Sequence, residues 1–172
     1  MAGGKNNYQL NGEIVLRDVY RLATMTLADP IVMSFMEKDA NEPLYRLRAQ
    51  YLEDELVHQL LSAAISNRTQ IEHMTDHRAA MDGQGFQPAA YECGVLQPDA
   101  DKNDRGPLSF HEACHKIIHA TNIVAQTPEA PETSPMKMEL TLRGTKGKLT
   151  WVAHLDLLAY LRGSVENFGD FR

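Results

Sequence analysis

Two cysteines, Cys93 and Cys114, are too few for a disulfide framework, which points to a reducing compartment. Basic residues are also short: 17 Lys and Arg against 23 Asp and Glu leave a formal charge of −6. That excludes a global positive field for duplex DNA, while leaving room for a local cationic groove. No apolar run approaches the roughly 18 residues that a membrane span needs. The opening MAGGKNNYQLNGE lacks the basic-then-apolar order of a signal peptide. These absences predict a cytoplasmic protein without a membrane partner. Only one tryptophan, Trp151, is available to anchor a core.

What remains is ordinary globular composition, 43% hydrophobic and 23% charged, in a length suited to one domain over 1–172. From Asn11, Val15, Val19, Leu22 and Met25 recur at helical spacing, with Asp29–Pro30 as a cap and first-turn pair inside a helical region reaching Glu37. Pro43 opens the longest helix, whose face is traced by Leu44, Leu47, Tyr51, Leu56, Leu60 and Ala64 and which ends near Met81. Residues 84–107 hold Gly, Pro and acidic residues without periodicity and predict a long surface loop. DADKND within it does not make a calcium loop, because Asp104 stands where Gly is needed and Phe110 where the bidentate Glu is needed.

Ser109 to Glu112 form a capping box that starts a helix over 110–121. After the proline-rich TPEAPETSP the period becomes two. Met138, Leu140 and Leu142 predict one strand, GTKG a turn, and Leu149, Trp151 and Ala153 a second strand: a β-hairpin over 136–154, with Trp151 in the core. A last helix is expected from Leu155 to Phe168. The predicted fold is mainly α, a single-domain helical bundle carrying one C-terminal β-hairpin.

Chemistry is concentrated in SFHEACHKIIHA. His111, His115 and His119 recur every four residues and share a helix face, as do His73 and His77. Three readings stay open. Histidine titrates near neutrality and suits proton transfer. Pairs at i and i+4 also suit zinc or another divalent metal, with His111, His115, His73 and His77 as candidate ligands. One ion cannot take all three of His111, His115 and His119, since the outer two stand about 12 Å apart. Two Glu-x-x-His pairs, Glu55/His58 and Glu112/His115, form half of a two-metal carboxylate pattern. The third reading is a polar helix edge satisfied by neighbours or water, which is also the reading for His58, His73, His77 and His154 each taken alone.

The stretch LSFHEACHKIIHATNI, read with LTLRGTKGKLTWVAHLDLLAYL, resembles a group of small bacterial proteins of the form L-x-x-R-E-A-x-N-K-I-I-H-A. In those a hairpin ending in Trp and a Leu-Asp helix follow. That group is similar to the HEPN superfamily (higher eukaryotes and prokaryotes nucleotide-binding), helical bundles that often act as metal-independent ribonucleases in toxin and defence systems. The resemblance implies that His119 is the catalytic histidine and His115 the polar residue before it. The family's arginine is replaced: Cys114 or His111 stands at its place, and Arg105, the nearest upstream arginine, precedes the helix. The resemblance further implies single-stranded RNA as a partner, no cofactor, and a homodimer that would align two such helices at one cleft. A non-catalytic module of the same fold, binding RNA or a protein partner, is the competing expectation.

Overall fold

The computed structural model describes residues 11–35, 41–81, 90–126 and 138–168, with the backbone alone for 77–81. Its elements run α1 (Gly12–Ser34), α2 (Pro43–Met81), β1 (Glu92–Gln97), β2 (Gly106–Ser109), α3 (Phe110–Ile118), β3 (Asn122–Gln126), β4 (Glu139–Lys146), β5 (Leu149–Asp156) and α4 (Leu157–Phe168). The five strands form one antiparallel sheet in the order β2-β1-β5-β4-β3. The helical bundle with a single C-terminal hairpin is therefore corrected to an α+β fold with helices on one face of a sheet.

Each helix starts for a local reason. Asn11 caps α1 by accepting from the amides of Glu13 (3.1 Å) and Ile14 (3.4 Å). Val15, Val19, Leu22 and Thr26 then bury one side of it. Asp29–Pro30 does not start a new helix; Pro30 lies inside α1, and Asp29 instead takes a bidentate pair from Arg48 of α2 (2.5 and 2.6 Å). Pro43 opens α2 as expected, with the Glu42 carboxylate accepting from the Tyr45 amide. Leu60, Ala63, Ala64, Asn67 and Ile71 form its buried side. Of the expected face, Leu60 and Ala64 are buried and Leu56 packs on the core, whereas Leu44, Leu47 and Tyr51 are more than half exposed, because the five-residue step from Tyr51 to Leu56 moves to another side of the helix.

The hairpin is the centre of the sheet rather than an appendage. Leu140 faces Leu155, Leu142 faces Ala153 and Gly144 faces Trp151 across β4 and β5. These residues are buried against the helical layer. The strands run further than the period alone suggested, and the reversal falls on Gly147–Lys148. Gly147 has φ +63°, at the position where a type II′ turn requires glycine. β5 continues through Leu155 and Asp156, so α4 begins two residues later than expected; Asp156 accepts from the Ala159 amide (3.0 Å) and caps it.

The 84–107 loop is corrected in part. Within its described residues, β1 joins β5 and β2 joins β1. Pro107 is tolerated because β2 is an edge strand. Gly94 takes φ +128° at a bulge, where a Cβ would run into the His154 carbonyl. The 110–121 helix stops at Ile118, because Thr121 donates to the Arg143 carbonyl (2.8 Å) and starts β3 along β4.

α3 and α4 lie on the inner face of the sheet, and α1 and α2 pack on them from outside. A buried polar knot joins three helices. Asn67 of α2 donates to Ser164 Oγ (2.9 Å) and to the Tyr160 hydroxyl (3.4 Å) on α4. The same hydroxyl meets the Cys114 thiol of α3. These groups have no water to turn to, so their mutual satisfaction sets how the helices seat.

Candidate functional site on helix α3

α3 is held at both ends. Ser109 Oγ accepts from the Glu112 amide (3.3 Å), and the Phe110 amide donates to the Tyr91 carbonyl (3.0 Å). At the other end the His119 amide donates to the His115 carbonyl (3.1 Å). Phe110, Ala113, Cys114 and Ile117 point into the core, which leaves His111, His115 and His119 on the outer side. His111 and His119 are exposed and His115 is half-buried.

The structure brings His115 and His119 together, with ring centroids 4.5 Å apart and planes tilted by 54°. Partial burial holds His115 below the ordinary histidine value of 6.5. Glu112 opposes that shift, while His119, Lys116 and Arg68 reinforce it. His115 is therefore neutral at pH 7. Arg68 comes from α2, 47 positions earlier in the chain, and its charge reaches both His115 and the Cys114 thiol. Its Nε also pairs with Glu72 Oε1 at 2.7 Å. No local motif pointed to Arg68; the packing of α2 on α3 brings its charge within electrostatic reach of His115, where it is the weakest of the influences named.

Lys116 is the second surprise. It is buried, its ammonium 3.0 Å from Glu112 Oε1 and 4.7 Å from the centre of the Trp151 ring. The i, i+4 spacing of Glu112 and Lys116 is visible in the sequence, but the indole beneath it is not. Trp151 is core as expected, between Lys116 and Gly144.

The metal alternative finds little support in the donor arrangement. Glu112 is engaged with Lys116, and Glu55 accepts from Gln59 (2.9 Å). His58 and His73 are exposed on α2, and the side chain of His77 lies outside the described residues. Among the described residues no three His, Cys, Asp or Glu side chains converge as a ligand set.

His154 is placed on the opposite face of the sheet from α3. Its Nδ1 lies 3.1 Å from Glu139 Oε1 and 3.4 Å from Thr141 Oγ1. His154 and Glu139, together with Asp156, Gly94, Val95 and Met138, outline a recess of about 200 Å³. The alternation in β4 and β5 places Glu139, Thr141, His154 and Asp156 on one side, which is the signal that could have found this group.

No model of a known protein family, no curated protein and no solved structure matches this chain. Among the described residues no helix is long and apolar enough to cross a membrane. The class defined here is an α+β protein with a histidine face on a short helix buried along its other side.

Proposed function

We propose that the α3 face cleaves single-stranded RNA without a metal ion. The observation that carries this reading is the contact between the His115 and His119 rings, 4.5 Å between centroids on the outer side of α3. Neutral His115 accepts the proton of the ribose 2′-hydroxyl as its oxygen attacks phosphorus. The bond from phosphorus to the 5′-oxygen breaks, and His119, as the general acid, delivers a proton to that leaving oxygen. Arg68 stands in for the arginine missing from α3, offering charge to the non-bridging oxygens, and His111 can donate a further hydrogen bond. The products are a 2′,3′-cyclic phosphate and a 5′-hydroxyl. Because the net charge is −6, the substrate is held by this local cluster rather than by a global field.

The test is cleavage of a labelled single-stranded RNA by wild type, His119→Ala and Arg68→Gln, with and without EDTA. His119→Ala should slow cutting by about 10² or more, the usual scale for general acid–base catalysis. Arg68→Gln should also slow it, and EDTA should leave it intact. A folded His119→Ala protein that cuts as fast as wild type refutes the assignment. Wild type that binds RNA without cutting reduces the face to a binding module.

A further inference from the structure

α1 and α2 pack as a helical hairpin, and the hairpin's far end carries apolar side chains on its outside. Leu27, Ile31 and Phe35 recur every four residues along α1; Leu44, Leu47 and Tyr51 follow helical spacing on α2. All six are between 43% and 85% exposed. Asp29 and Arg48 fasten the two segments side by side through their bidentate pair. That pair also neutralises the only charge between Leu22 and Phe35. On α2, Arg46 is exposed on a different side of the helix from Leu44, Leu47 and Tyr51, so the stripe itself offers little to an acidic or basic partner.

We propose that this hairpin end is a two-fold interface with a second copy of the chain, the outer stripes of one hairpin packing on those of the other. Area supports that occupant. At their exposures the six residues, backbone included, present roughly 700 Å², against about 800 Å² per partner in a standard interface. The largest apolar patch on a typical monomer is about 300–600 Å². Apolar stripes on two adjoining helices are also self-complementary, as a two-fold contact requires, and four helices so paired have the geometry of a bundle. The interface lies on α1 and α2 and is independent of chemistry on α3.

The experiment is sedimentation equilibrium on the full chain, with Ile31→Glu/Leu47→Glu as the test variant and Ile65→Glu as the control. Ile65 is as exposed as these residues but lies further along α2, outside the stripe. Wild type and Ile65→Glu should sediment at twice the chain mass. The double variant should raise the dimer Kd at least tenfold with an unchanged circular dichroism spectrum. Should the double variant fail to fold, Phe35→Ser, at the most exposed position of the six, must weaken the dimer instead. A wild type that is monomeric at about 100 µM overturns the proposal. So does a dimer that survives both variants, or one that Ile65→Glu breaks.

Discussion

Gly144→Ala tests the packing that joins the sheet to the α3 site. Gly144 faces Trp151 across the hairpin, and a Cβ there would overlap the indole at Cζ2. It would also lie 2.7 Å from Trp151 Cε2 and 2.7 Å from the His119 carbonyl oxygen. Replacing glycine by alanine in a strand gains about 0.5–1 kcal/mol in backbone entropy. Overpacking a close-packed site costs about 1–3 kcal/mol, and here the obstacles are a rigid buried ring and a backbone carbonyl, so the upper end applies. The net loss should be about 2 kcal/mol, which lowers Tm by about 4–8 °C for a chain of this size. Urea denaturation followed by the fluorescence of the single tryptophan measures it, as a lower midpoint at unchanged slope. Gly106→Ala is the control, since a Cβ at Gly106 meets nothing within 4 Å. A Gly144→Ala protein as stable as wild type would refute the placement of the indole against this strand.

The remaining predictions concern the titrating groups. Burial pushes both the Cys93 and Cys114 thiols up to about 12, so neither should react with a disulfide reagent at pH 8 in the folded protein, and both should on unfolding in urea. Modification of either at the rate of a free thiol in native buffer would contradict their burial. His115 has its folded value below 6.5, chiefly through partial burial, so below 6.5 the unfolded chain binds its proton more readily than the folded chain. Its contribution to stability is present in full above 6.5 and is lost as pH falls from 6.5 through the folded value. A proton NMR titration should show one imidazole, absent in His115→Gln, with its midpoint below 6.5; a midpoint at or above 6.5 would count against the buried flank of α3.

The resemblance to the HEPN superfamily implies an all-helical architecture, and that is not the architecture of this chain. The stretch that carries the resemblance forms a nine-residue helix between two strands of an antiparallel sheet. Its histidines nevertheless share one side, since the i, i+4 spacing requires only a helix of two turns. No arginine lies in α3; Arg68, whose charge acts weakly on His115, belongs to α2.

Sequence by itself determined the features whose cause is local. The cap at Ser109, the buried stretch of α2 at Leu56, Leu60 and Ala64, the common face of His115 and His119 and the inward face of the hairpin with Trp151 each follow from a spacing of a few residues. Such spacings repeat often enough within one element to be read. Tertiary structure decided what depends on a distant partner. β1, β2 and β3 are six, four and five residues long, too short to show a period, and they exist because β5, β1 and β4 offer them hydrogen bonds. Lys116 is buried because Trp151 lies under it, and Glu139 meets His154 because the hairpin register aligns them. The field of Arg68 on His115 arises where α2 packs on α3. In each case the partner stands 10 or more positions away, and neither residue type nor local spacing encodes which partner it will be.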